Sequence, residues 1–194
     1  VGANENLLID YGRLRNSIVH KSVKETIIAE PHTSVVEKIE HLAELISRPP
    51  KAISVFNNRK VVTIRADALL IEAIKLINKT NFSNIPVYKG YVLTGIINNK
   101  LIVKSLGAEA EKGGNIDKFL NSRTVASILD ESYFKLYYDI NHKDVTVDAV
   151  AQSFYSNKKL LAMLITENGS RTEKPITIIT AYDIMEIENI LNSY

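Results

Sequence analysis

Cysteine is absent from the 194-residue chain. That removes disulfides and thiolate chemistry and favours a reducing compartment, so a cytoplasmic protein is expected. Long apolar runs are missing as well. "LLAMLI" is typical of the longest, far short of a bilayer span, and no membrane partner is expected. No signal-peptide pattern is read either. Neither charge sign dominates: 24 Lys and Arg are interspersed with 22 Asp and Glu, for a net charge of +2. Without a basic stripe there is no groove for a phosphate backbone, which argues against double-stranded DNA as a partner. Nucleophile elbow, P-loop and zinc ligand sets are also lacking, and His32, His41 and His142 have no metal-ligand spacing. No catalytic or metal residue is therefore assigned, and an enzyme is not expected. The first residue is Val1 rather than Met, from which an upstream domain is expected.

What is present is enough apolar sequence, 45% of residues, for one large domain or two small ones. Residues 4–47 read as helices. Leu7, Leu8, Tyr11, Leu14 and Ile18 recur at helical spacing. Val36, Ile39, Leu42, Ala43 and Ile46 repeat the pattern behind a Ser34/Glu37 capping box, and Pro49-Pro50 ends it. Glu37, Glu40 and Glu44 read as a solvated face. Beyond residue 50 the texture changes to short β-rich runs alternating with helices.

That second part is an internal repeat. "VTIRADALLIEAIKLI" (62–77) aligns with "YDINHKDVTVDAVAQSF" (138–154), pairing Ile64 with Ile140 and Ala73 with Ala149, an offset of 76. Each copy reads strand, turn, amphipathic helix. "SNIPVYKGYVLTGIINNKLI" then aligns with "KLLAMLITENGSRTEKPITIITAYDI", each a hairpin of two apolar strands leading into a helix. The second hairpin is six residues longer, with turn chemistry in "ENGSRTEKP". One such unit cannot cover both faces of its sheet, so two copies packed sheet to sheet are expected. The fold class is α+β, with domains 1–50 (helical segment), 51–123 (first repeat and connecting helix) and 124–194 (second repeat). Tyr137-Tyr138-Asp139 reads as a buried strand.

The strand-to-helix corner of the second repeat, "ITIITAYDI", places Thr180 three residues before Asp183. This spacing suits a variant capping box. It also suits a ligand: a helix N-terminus offers free N–H groups to phosphate, and a carboxylate one turn in can accept two hydroxyls of a cis-diol. The first corner, "GIINNKLI", has Asn98 in place of Thr and Leu101 in place of Asp. Asn98 can still cap a helix; Leu101 cannot bind a diol.

The alanine in each first helix (Ala73, Ala149), "NIPVY" at 84–88 and the Gly-apolar-apolar-Thr-x-x-Asp corner together resemble the cystathionine-beta-synthase (CBS) domain, and the tandem resembles a Bateman module over residues 51–194. The second copy departs from the corner pattern only in having Thr177 for Gly95. The resemblance implies a regulatory module that binds an adenine nucleotide or adenosyl ligand (AMP, ADP, ATP, cyclic di-AMP or S-adenosylmethionine) between the repeats, requires no cofactor and forms a homodimer. It implies that the hydroxyl of Thr180 lies near a phosphate and that Asp183 holds the ribose diol. By position, Asn57, Val62, Ser83, Ile85 and Pro86 would complete the cleft, with Val62 and Ile85 sandwiching adenine. Lys158 and Lys159 would face phosphates. One competent cleft and one degraded cleft are expected. Apolar helix faces at Ile74, Leu76 and Ile77, or Val150 and Phe154, are candidates for the dimer contact. A ligand-free dimerisation scaffold is the bland alternative.

Within "RLRNSIVHK", Arg15, Asn16 and His20 resemble the motif of HEPN domains, some of which are ribonucleases. The chemistry would use His20 to move protons and Arg15 to stabilise charge. Only the last helices of such a domain are present, and Arg15 and His20 stand about 140° apart around a helix. No ribonuclease activity is expected. Residues 4–47 are expected to pack as a helical hairpin against the repeats or a partner chain.

Overall fold

The computed structural model describes residues 5–20, 30–57 and 59–192. The chain divides into two compact units: the N-terminal helices with the very end of the last helix, and residues 51–190.

The first unit contains α1 (Glu5–His20) and α2 (Thr33–Ser47). The cap of α2 differs from the expected Ser34/Glu37 box. The N-cap is His32, whose ring Nδ1 accepts from the backbone N–H of Ser34, while the Ser34 hydroxyl lies 2.8 Å from that same nitrogen. The Ser34 side chain is engaged by the ring and is not free to cap the helix. Glu37, Glu40 and Glu44 are exposed, as a solvated face requires. Ile9, Val19 and Ile46 are exposed as well.

The second unit holds α3 (Ala52–Phe56), β1 (Ile64–Arg65), α4 (Leu70–Thr80), β2 (Asn84–Lys89), β3 (Val92–Asn98), α5 (Asn99–Glu111), α6 (Ile116–Ser122), α7 (Glu131–Tyr137), β4 (Tyr138–His142), α8 (Val147–Ser156), β5 (Ala162–Thr166), β6 (Thr177–Thr180) and all but the last two residues of α9 (Ile184–Asn192). Two three-stranded sheets have the same topology. In each, the first strand is parallel to the second and the second antiparallel to the third.

Leu70, Ala73 and Ile77 place one stripe of α4 on β2 and β3, where Ile85, Val87 and Ile97 complete a core. The opposite face of the first sheet meets the second: Leu93 and Ile96 pack with Tyr138, Ala162, Leu164 and Phe134. Side-chain alternation along β3 puts Ile96 and Ile97 into these two different cores.

The repeat offset is 77, not 76. The helices begin at Leu70 and Val147, and the strand-exit turns match, Ala68 N–H to Arg65 O and Val145 N–H to His142 O. Ala73 therefore corresponds to Val150, which is buried, whereas Ala149 is exposed. Identity between two alanines misaligned the copies by one residue; burial periodicity sets the true register. The candidate dimer faces also need correction. Ile77, Val150 and Phe154 are buried, and Ile74 and Leu76 pack on the first repeat's core. The chain itself covers Ile77, Val150 and Phe154 and half-covers Ile74 and Leu76.

Each repeat's lead-in docks on the other repeat. Ala52 N–H donates to Val145 O, and Lys51 bridges Thr146. In the mirror arrangement Val125 N–H donates to Ala68 O, and Thr124 bridges Leu69. The long β5–β6 loop crosses over too: Leu93 N–H donates to Arg171 O and Tyr88 Oη to Glu173 O. Within the second repeat the Arg171 guanidinium lies 4.3 Å from the Phe134 ring centroid.

Candidate ligand cleft between the repeats

A cavity of about 420 Å³ lies between the repeats. One wall is the stretch 59–62, which joins α3 to β1. A second is 81–84, which joins α4 to β2. The third is Ile178, Thr180 and Tyr182 at the second repeat's corner. Local sequence dictates each wall. In β6, Thr177 and Ile179 are buried, so strand alternation turns Ile178 and Thr180 to the opposite face. Helix α4 ends at Asn81, which adopts φ 58° while its N–H closes on Ile77 O. Asparagine tolerates this left-handed conformation, and the reversal carries Phe82 and Ser83 along the cavity.

The corner itself is a cap. Thr180 N–H and Thr180 Oγ1 both donate to Asp183 Oδ2, at 2.6 and 2.9 Å. The same oxygen lies 2.7 Å from Arg59 Nη1, and Arg59 Nη2 lies 3.0 Å from Glu186 Oε2. The guanidinium stands 4.5 Å from the Phe56 ring centroid. Asp183 is only 12% exposed and Arg59 34%, so this pair is better shielded than a surface ion pair. Phe56 is in turn fixed to the second repeat, because Thr177 Oγ1 donates to Phe56 O at 2.8 Å.

Val62, Ser83 and Thr180 thus come together on the cavity wall. Asp183 lies behind it, joined to the wall through Thr180 and Arg59. Ile85 is fully buried among Val87 and Ile97 on the helix side of the first sheet, away from the cavity lining. Pro86 is buried, and Asn57 is the exposed C-cap of α3. Lys158 and Lys159 are exposed, with Lys158 Nζ 5.3 Å from the Tyr155 ring centroid. The cations on the cavity wall are Arg59 and Lys60, which the sequence reading passed over. Their signal was a basic pair just ahead of the β1 strand.

The corresponding corner of the first repeat is filled. Asn98 caps α5, its Oδ1 accepting from Leu101 N–H at 2.8 Å. Its Nδ2 donates to Tyr138 Oη and to Tyr133 Oη, and Tyr138 Oη donates to Asn84 Oδ1. Tyr138 is 3% exposed, and burial raises its phenol above the ordinary value. Tyr133 stacks on Tyr137 with centroids 4.4 Å apart, and Phe134 lies 5.8 Å from Tyr138. Aromatic side chains occupy this corner, and Leu101 is buried behind it.

At the N-terminus, Arg15 is exposed and its Nη1 donates to Asn16 Oδ1 at 3.1 Å. The side chain of His20 lies outside the described residues. Among the described residues no cluster of His, Asp and Glu is arranged to hold a metal, and no helix is long and apolar enough to cross a membrane.

Residues 51–107 match the model of the CBS domain. The search of curated proteins gives no match. Solved structures give the fold of the pair. The CBS domain pair of protein MJ0100, in complex with 5′-methylthioadenosine and S-adenosyl-L-methionine, is similar at TM-score 0.54 and 19% identity over 74% of this chain and 99% of that one. The CBS domain of a membrane protein from Sphaerobacter thermophilus is similar at TM-score 0.57 and 16% identity over 79% and 97%. The CBS domain of a bacterial CNNM/CorC family Mg2+ transporter, in complex with ATP, is similar at 0.54 and 19% over 79% and 96%. The fold is that of a CBS-domain pair, and its first half matches the CBS domain in sequence as well.

Proposed function

We propose that the chain is a regulatory module whose single cleft per chain binds an adenine nucleotide or adenosyl ligand. The carrying observation is the cavity walled by residues 59–62, 81–84 and the Thr180 corner. It offers apolar surface from Val61, Val62 and Ile178 for a flat base. It adds the hydroxyls of Thr180 and Ser83 and cations at Arg59 and Lys60 for phosphate, with the Asp183 carboxylate next to the wall, bonded to Thr180 and Arg59, for a ribose diol. Two of the similar structures are complexes with adenosyl compounds, which agrees with this chemistry.

The filled corner at Asn98 and Tyr138 supports one site rather than two. Regulation follows from position. A ligand in the cleft touches the first repeat's lead-in and the second repeat's corner, so it favours one relative arrangement of the repeats by differential binding. A homodimer remains part of the proposal, with Val103, Tyr182 and Met185, all strongly exposed, as apolar surface for it. A thermal-shift screen of adenosine, AMP, ADP, ATP, cyclic di-AMP, 5′-methylthioadenosine and S-adenosylmethionine tests the reading. A ligand at one hundred times its Kd adds about 2.7 kcal/mol of stability by mass action. No shift with any of them contradicts it.

A further inference from the structure

We propose that Arg59 is a charge-selecting latch: it holds the carboxylate that a ribose diol needs and favours ligands that carry an anion for it to turn to. This rests on the function proposed above and specifies the ligand's charge. Asp183 Oδ2 receives three donors, Thr180 N–H, Thr180 Oγ1 and Arg59 Nη1. Thr180 belongs to the cap and is fixed by the backbone. Arg59 is the partner a sugar hydroxyl can replace.

Replacement is not neutral. The Asp183 side chain is 12% exposed, so losing its counterion leaves a poorly solvated charge. A neutral nucleoside offers two hydroxyls in exchange and no charge. Arg59 would keep only Glu186, whose side chain is 53% exposed, and the Phe56 ring. A phosphorylated ligand supplies a new anion within the cavity that Arg59 and Lys60 already line. A guanidinium binds phosphate through paired N–H donors, which offsets the loss of Asp183. A sulfonium ligand brings a positive charge toward both cations and is disfavoured.

Calorimetry of the full chain with adenosine and with AMP tests this, in the parent, in Arg59→Gln and in Arg59→Lys. The parent is expected to prefer AMP by about tenfold or more, a difference of about 1.4 kcal/mol. In Arg59→Gln adenosine binding tightens by about three- to tenfold and AMP weakens, so the preference collapses. Arg59→Lys keeps the preference for AMP but also binds adenosine more tightly than the parent, because an ammonium cannot reproduce the two-acid fork. Should Arg59→Gln fail to fold, the adenosine affinity of Arg59→Lys decides, and a parental value overturns the latch. An unchanged AMP-to-adenosine ratio in a folded Arg59→Gln, or equal weakening of both ligands, overturns it while leaving the cleft assignment standing. Failure of the parent to bind either compound or any other adenosyl ligand overturns the assignment and the latch together.

Discussion

Asn98 of the first repeat donates its side-chain amide to the hydroxyl of Tyr138, the first residue of the second repeat's β4. The same asparagine caps α5 through its carbonyl. One residue thus ends a strand, starts a helix and ties the repeats together where the other corner has an open cavity. Replacing Asn98 with Ala removes a cap and takes a donor from the buried Tyr138 hydroxyl and the half-buried Tyr133 hydroxyl. A loss of about 2–3 kcal/mol is expected in urea unfolding. Tyr138→Phe keeps the ring in place and is expected to cost about 1 kcal/mol.

The lead-in exchange makes a second prediction. A Cβ at Gly95 would stand 3.1 Å from Leu129 Cδ1. Leu129 belongs to the lead-in of the second repeat yet packs on the core of the first. Gly95→Ala is expected to destabilise by about 1–2 kcal/mol through overpacking. Shortening Leu129 to Ala in the same chain should recover part of that loss. A double-mutant cycle with no coupling between the two would show that the contact is not formed.

At the corresponding position of the second repeat, Thr177 is fully buried and its hydroxyl donates to Phe56 O. Thr177→Val keeps the shape and deletes the donor. An expected cost of about 1–3 kcal/mol follows from leaving a buried carbonyl unpaired. AMP affinity should fall too, because Phe56 supports Arg59. Equilibrium unfolding and ligand titration on one preparation separate the two effects.

Glu173 in the β5–β6 loop gives a pH dependence. Its carboxylate accepts from the backbone N–H of Asn168, from the Asn168 side-chain amide and from Ser170 N–H, which lowers its pKa from 4.5 to about 2. A depressed folded-state pKa means the contribution is full above about pH 4.5 and is lost as pH falls toward 2. Melting points recorded down this range should fall less steeply for Glu173→Gln than for the parent. Parallel curves would contradict the loop's role.

Much of the second unit is legible in the sequence because it is periodic. The amphipathic stripe of α4, the twin hairpins and the corner at Thr180 and Asp183 follow from spacing alone. The features that escaped are non-local. Ile64 and Ala73 have identical residues at an offset of 76, yet the strand-exit turns, helix starts and helix burial run at 77. The lead-in exchange has no sequence mark, since Ala52 and Val125 bond to residues far along the chain. Arg59 sits in a short stretch without periodicity, and its role comes from Asp183 and Glu186 in the other repeat. Lys158 and Lys159 precede a strand, as the sequence shows, and both are exposed and off the cavity wall. Of Tyr137-Tyr138-Asp139, read as a buried strand, only Tyr138 is a buried strand residue; Tyr137 ends α7 and Asp139 is exposed. That Tyr138 fills a corner depends on Asn84 and Asn98 being brought to it.

The most direct test of the account is calorimetric titration of AMP into the parent chain and into Asp183→Ala, with unfolding measured on both. The account predicts one site per chain. It also predicts an affinity loss of about 1.5–3 kcal/mol in the variant, the worth of hydrogen bonds to a charged group. Two equivalent sites per chain, or a variant that binds AMP as the parent does while losing only stability, would contradict it and leave Asp183 as a helix cap and nothing more.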